Sequence, residues 1–210
     1  MDDLAEARRL LELTVGDYYG VRQNYYASIR QAVSDYMAAP DDARVTSFQN
    51  AVRRAMTEAF PAAFETGIED GGSDLPLDPE DDAWLTAKIN AEFGYIGVTF
   101  QNMKQLKSGD DPQAVQDEPY NVAERYSRTL DGVYNEGKVR GMGNKMLTMD
   151  GNDGKESCAT CQKYKGQRHK ASWWARRGLI PGQPGNPNYV CGGWVCDHYL
   201  VDDNGMLVTL

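Results

Sequence analysis

Cys158-Ala-Thr-Cys161 and, thirty residues later, Cys191-Gly-Gly-Trp-Val-Cys196-Asp-His198 decide how the last quarter of the chain folds. They hold all four cysteines of the protein and one of its two histidines. Thiolates grouped in two short loops suit a tetrahedral zinc ion: the first pair clamps the metal, and the second closes a distant loop onto it. The intervening residues 162–190 are polar and rich in Gly and Pro, so a metal would supply free energy that their small core cannot. Five side chains compete for four positions: Cys158, Cys161, Cys191, Cys196 and His198. The two-residue gap lets backbone amides turn toward the sulfurs of Cys158 and Cys161. Cys196 and His198 alternate across one residue and share a face if they lie on a strand. Cys191 and Cys196 instead flank a stretch that can form a second knuckle. The preferred set is Cys158, Cys161, Cys196 and His198, with Cys191 in reserve. The competing reading is four independent buried thiols, or a Cys191–Cys196 pair formed on exposure to air. A closed four-ligand site leaves no position for water and is structural.

Outward from this cluster, composition sets the frame. The 210 residues suffice for one ordinary domain with a small appendage. Hydrophobic residues make up 41% and charged residues 25%, which excludes general disorder. The acidic start, Met1-Asp2-Asp3-Leu4, lacks the basic and apolar regions of a signal peptide. No apolar run approaches the ~20 residues that cross a bilayer, so a soluble protein of a reducing compartment is expected, where thiolates bind metal rather than pair. The net charge of −9 is uneven. Residues 153–177 carry Lys155, Lys163, Lys165, Arg168, Lys170, Arg176 and Arg177 against Asp153 and Glu156, a sum of +5. Residues 178–210 sum to −3, which leaves −11 on the first 152. Such an acidic body repels nucleic acid, whereas the basic stretch either touches a phosphate or acidic partner or simply solvates a loop.

The first three quarters read as helices. Tyr18, Val21, Tyr25, Ile29, Val33 and Tyr36 recur at three- and four-residue steps, ending at Pro40. Phe48, Val52, Ala55 and Ala59 continue the pattern behind an N-cap at Thr46 or Ser47, and Gly67 to Pro79 reads as a loop. Leu85, Ile89, Phe93, Ile96, Phe100 and Met103 form a near-heptad seam on a helix begun by Pro79-Glu80-Asp81-Asp82 and stopped by Ser108–Pro112. Gly94 and Gly97 in it signal close packing or a break. A fourth helix is expected from Asn121 to Asn144, with Val122, Tyr126, Thr129/Leu130, Val133 and Gly137 inward. Met146–Met149 then reads as a strand before the turn Asp150–Gly154, and Asn204-Gly205 as a hairpin between His198–Val201 and Met206–Leu210. The expected architecture is mainly α. An elongated helical body spans 1–145, with 1–40 a candidate separate docking helix. A small zinc-stapled, β-rich (α+β) module spans 146–210. Trp173, Trp174 and Trp194 are expected to cover that module, and His169 to be a solvated loop residue.

With these features quoted, a resemblance is specific. Asp153 through Gly166, with Cys158 and Cys161, then Ala171-Ser-Trp-Trp174, Gly178-Leu-Ile-Pro181 and Cys191 through Leu200 resemble the C-terminal module of phage head morphogenesis proteins, also called minor head or minor capsid proteins. Their pattern is Cys-x-x-Cys with a following Gly, a variable loop and a closing Cys-x-Cys. Members similar to this chain place Cys-Gly-Gly-Trp before the closing pair. His198 replaces the final Cys, a swap that keeps a metal ligand. The stretch from Phe48 through Phe64-Glu65-Thr66-Gly67-Ile68 to Ala123-Glu124-Arg125-Tyr126 is similar to the helices preceding that module. The resemblance implies a low-copy structural protein of the virion head, made in the host cytoplasm. It would lie near portal or inner capsid and serve head assembly, DNA packaging or ejection, with no enzymatic step implied for most members of the family. The basic 153–177 stretch is then a candidate contact with packaged DNA.

Two other functions compete. A zinc-stapled nuclease of the His-metal-finger type needs a general-base His and further metal-binding residues. Only His169 and His198 exist, and His198 is spent on zinc; the turn residues Asp150, Asn152 and Asp153 could hold a metal ion but read as an ordinary turn. A zinc-ribbon adaptor for host proteins has only the basic stretch to recommend it.

Overall fold

A computed structural model describes residues 3–38, 42–109, 111–152, 157–194 and 196–209, with side chains from 17 onward except Asp42 and Ala43. In chain order the elements are α1 (Asp3–Ala38), α2 (Asp42–Gly71), α3 (Pro79–Lys107), α4 (Pro112–Met142), β1 (Met146–Gly151), α5 (Ala159–Tyr164), β2 (Arg168–Lys170), α6 (Ala171–Arg176) and β3 (His198–Val201). The described part is therefore mainly helical, with one small antiparallel sheet of order β2-β1-β3.

By compactness the chain divides into two units, and the division is not at residue 145. One unit comprises Tyr19–Ala62 and Pro76–Ser127; the other comprises Met1–Tyr18, Ala63–Leu75 and Arg128–Leu210. The expected body and module are thus corrected: the last turns of α2 and the second half of α4 belong with the C-terminal segment. The idea of 1–40 as a separate docking helix also gives way. Tyr25 meets the edge of Phe60 at 5.9 Å, and Tyr36 lies 5.6 Å from Phe48 and 5.3 Å from Phe100. From Tyr25 onward the aromatic stripe of α1 is core of the first unit, because burying rings of that size outweighs leaving them for a partner.

Within this first unit, the helix signals operate as chemistry predicts in α3. Asp78 caps it by accepting from the amides of Glu80 and Asp81 at 2.8 and 2.9 Å, while the Asp81 carboxylate accepts from the Asp78 amide at 3.2 Å. Leu85, Ile96 and Met103 are buried along the expected seam. Gly94 and Gly97 face open space, so they mark neither close packing nor a break. The start of α4 lies nine residues before the expected Asn121. Asp111 accepts from the amides of Gln113 and Ala114 at 3.0 and 3.1 Å, and Pro112 follows it, so one Asp-Pro pair starts the next helix. Pro40, the expected end of α1, lies outside the described residues. Thr46 and Ser47 lie within α2, which begins at Asp42, so neither is its N-cap.

The second unit is held by a close crossing of α2 and α4. The loop expected from Gly67 is helix as far as Gly71. Gly67 and Gly71 on α2 oppose Gly137 and Gly141 on α4, each pair spaced by four residues. A Cβ at Gly67 would strike the Tyr134 carbonyl, at Gly71 the Lys138 carbonyl, at Gly137 the Phe64 carbonyl and at Gly141 the Ile68 carbonyl. The glycines cost helix propensity, but they let backbone pack on backbone. Beside them the Tyr134 hydroxyl donates to Asp70 at 2.5 Å, and Tyr18 stacks on Tyr134 at 4.1 Å while donating to Asp131 at 2.5 Å.

Past α4, β1 pairs with β2 (Leu147 opposite His169) and with β3 (Met149 opposite Leu200, Gly151 opposite His198). The expected hairpin after β3 is present as a turn, with the Gly205 amide bonded to the Asp202 carbonyl at 3.0 Å, but its return strand is a single bridge between Val201 and Leu207. The short helices α5 and α6 were not expected. Residues 162–190, polar enough to suggest only a small core, supply Ala171, Trp174, Leu179, Ile180 and Tyr189 to a cluster with Val139, Leu147, Met149, Cys161, Leu200 and Val208.

Gly137→Ala and Gly141→Ala should each lower stability by about 3 kcal/mol, read as a shifted urea midpoint, because backbone must move to admit the methyl. Gly94→Ala should raise it by about 0.5–1 kcal/mol. Equal small effects at all three positions would contradict the crossing.

Candidate metal centre

Three chain segments bring the predicted ligands together. Cys158 is the N-cap of α5 in extended conformation, and Cys161 sits in the first turn of that helix, buried. Their sulfurs are 3.6 Å apart. His198 opens β3 and is buried against β1. Gly151 makes this fit possible: with φ 144° it pairs with His198, and a Cβ there would come within 2.6 Å of the Asp197 carbonyl and 2.8 Å of His198 Cα. Ser157 Oγ lies 3.2 Å from His198 Nε2, a hydrogen-bond partner that fixes ring orientation. Cys196 lies just before β3, so the shared-face argument for Cys196 and His198 holds only at the strand's first residue.

The loop carrying Cys191 is drawn in by Thr160 between the first two cysteines. Its Oγ1 donates to the Asn188 carbonyl and accepts from the Val190 amide, both at 3.3 Å. Gly192 and Gly193 then take successive left-handed conformations, φ 65° and 75°. At Gly193 a side chain would strike the Gln183 carbonyl. Gln183 in turn donates to the buried Glu136 of α4 at 2.8 Å, so the loop is tied to the helix.

Among the described residues, the ligand atoms of Cys161, Cys196 and His198 all lie within 4.8 Å of one another and could hold a metal ion. The Cys161 and Cys196 sulfurs are 3.5 Å apart. A tetrahedral ion with bonds of about 2.3 Å to sulfur sets its thiolates about 3.7 Å apart. Both measured sulfur spacings are close to that value, and Cys158 joins the group through Cys161. All four cysteines are free thiols.

The thiols differ in how readily they ionise. Burial opposes ionisation of Cys158, yet the backbone amides of Cys161 and Cys191, with the thiols of both, bring it down to about 6. Burial, then Cys196 and Cys158, push the Cys161 thiol up. Burial also raises Cys191, whose thiol faces Cys158. Cys158 thus ionises more readily than Cys161, and metal uptake would release a proton from Cys161.

Other predicted residues lie elsewhere. His169 is not a solvated loop residue: it is in β2, its ring stacked on Trp173 at 3.6 Å with Nε2 3.1 Å from Gln167 Oε1. Trp174 is fully buried and donates to the Leu147 carbonyl at 3.2 Å, whereas Trp194 is 46% exposed and covers little. The Asp150 carboxylate accepts from the Gly151 amide, and the Asn152 carbonyl from Ser157. Asp153, Lys155 and Glu156 lie outside the described residues. Of the basic stretch, Arg168 pairs with Asp203 at 2.7 Å and Arg177 lies over Trp173 at 4.2 Å. Lys163 and Arg177 line an open groove with Tyr164, Leu179 and Val190. Sequence reasoning missed Thr160 and Gly151; only the paired glycines at 192 and 193 advertised the second loop.

Compared with known proteins, the chain matches no family model, and no curated protein or solved structure shows significant similarity to it.

Purified protein should carry one zinc per chain by elemental analysis. His198→Ala and Cys158→Ser should each lose at least tenfold in zinc affinity, while Cys191→Ala retains the ion. Retention by His198→Ala with loss in Cys191→Ala would assign the four cysteines instead.

Proposed function

We propose that this chain is a structural protein of a phage head, a minor head or capsid component, whose C-terminal segment is stapled by one zinc ion. The observation that carries the reading is the cluster itself: sulfurs 3.5 and 3.6 Å apart beside a buried imidazole, from the segments that resemble the minor head module. Zinc is the ion these donors suit, because thiolate and imidazole select it over calcium and magnesium, which take oxygen ligands. Cys158, Cys161, Cys196 and His198 would hold it; when bound it joins the start of α5 to the start of β3 and supplies folding free energy. With four protein ligands the ion has no open position, so its part is architectural.

Support for a non-catalytic role comes from the side chains available. His169 faces Trp173 and a neutral amide rather than a carboxylate, and Asp150 accepts from its neighbouring backbone amide. In such a protein the acidic helices would meet portal or capsid partners, and Lys163 and Arg177 beside their groove would meet an acidic surface or packaged DNA. Among the described residues no helix is long and apolar enough to cross a membrane.

The test is mass spectrometry of purified virions from the phage that encodes the chain. Recovery at low copy relative to the major capsid protein is expected. Absence from virions, with recovery on a host protein from infected-cell lysate, would favour the adaptor. Plasmid nicking by the zinc protein that His169→Ala abolishes would establish the nuclease; no nicking is expected.

A further inference from the structure

Val190 and Leu75 are the two most exposed large hydrophobic side chains among the described residues, at 77% and 72%. A single exposed aliphatic residue needs no explanation. These two stand out because each is framed by charge, and the charges are of opposite sign. Val190 lines an open groove of about 480 Å³ together with Leu179, Lys163 and Arg177. No acidic side chain lines it, and among the described residues no carboxylate pairs with either cation. Aromatic rings hold the cations instead: Lys163 lies 5.0 Å from the centre of the Tyr164 ring and Arg177 4.2 Å from that of Trp173. The Val190 amide is tied to Thr160 Oγ1 at 3.3 Å, so this aliphatic surface is held in place beside the two positive charges.

Leu75 has the complementary setting. Residues 73–78, Ser-Asp-Leu-Pro-Leu-Asp, join α2 to α3 without helix or strand. Pro76 favours an extended Leu75, and the Leu75 amide donates to Ser73 Oγ at 3.3 Å. The leucine therefore projects from a short extended segment with Asp74 on one side and Asp78 on the other. Within one chain both Leu75 and Val190 stay exposed, so neither covers the other. We propose that the groove of one copy takes the Asp74–Asp78 segment of a second copy. Leu75 packs on Val190 and Leu179, and the flanking carboxylates meet Lys163 and Arg177. Groove and segment are different surfaces, so the contact is head-to-tail and builds a ring or an open chain of copies. Nucleic acid suits the groove less well. His169 and Arg177 already occupy the Trp173 ring and Lys163 lies over Tyr164, so a base could stack there only by displacing them. The inference goes beyond the head-protein reading and stands or falls separately from it.

Sedimentation velocity of the full chain across a concentration series tests the contact. A single groove gives an interface below about 1,200 Å², which is weak, so wild type should be monomeric when dilute and associate as concentration rises. Salt at about 1 M, where the Debye length is about 3 Å, should weaken that association. Lys163→Glu with Arg177→Glu, and separately Asp74→Lys with Leu75→Ser, should each weaken it by about tenfold or more. A mixture of these two double variants should form a one-to-one dimer and stop there, because it joins one intact groove to one intact segment. Unfolded variants could not restore the contact, so the dimer separates a lost interface from a lost fold. Wild type that stays monomeric throughout, variants that associate as strongly as wild type, or a mixture that stays monomeric would overturn the proposal and leave the head-protein reading untouched. Duplex DNA that binds wild type but not the groove variant would give the groove to nucleic acid and overturn it as well.

Discussion

Four thiols and an imidazole packed into one small volume are the constraint on which the C-terminal segment depends. Sulfur atoms at 3.5 and 3.6 Å cannot all ionise next to each other, so the raised Cys161 and Cys191 and lowered Cys158 describe a cluster sharing a proton deficit. A cation at their centre would remove that conflict. The start of α5 and the start of β3, which it would join, are otherwise connected by turns and a β-ladder of a few residues, and the Cys191 loop hangs on the Thr160 hydroxyl. Around it lies a core that is larger than the polarity of residues 162–190 suggests, with Trp174 at its middle.

That core needs a fixed base, and the close crossing of α2 with α4 provides one. Lys145, just past α4, donates to the Gly71 carbonyl at 3.1 Å, and its own carbonyl accepts from Ala171 at 2.8 Å. The end of α2, the exit of α4 and the start of α6 are thereby held together. Gln183 on Glu136 fastens the far loop to the same helix. The glycines thus set where β1 begins, and β1 sets where Gly151 receives His198.

Much of this was legible in the sequence because it follows from local chemistry. The apolar stripe of α1, the seam of α3 with its start at Pro79, the strand at Met146 and the turn at Asn204-Gly205 all announce themselves by period or by turn residues. The candidate ligands were legible for the same reason, since cysteine is rare and its spacing specific. What failed was long-range. Gly67 and Gly71 read as loop because their partners, Gly137 and Gly141, are some 70 residues away, and glycine in isolation signals a turn. The start of α4 was missed because Asp111-Pro112 was read as a stop when it is also a cap. Trp194 and His169 were misplaced because only the fold decides which side of a small sheet is covered.

The architecture and the proposed role meet at the ion. X-ray absorption at the zinc edge, on protein purified without added metal, tests this most directly. The account predicts a four-coordinate site with three sulfurs at about 2.3 Å and one imidazole nitrogen at about 2.0 Å. Four sulfurs, or protein that folds with no zinc at all, would contradict it.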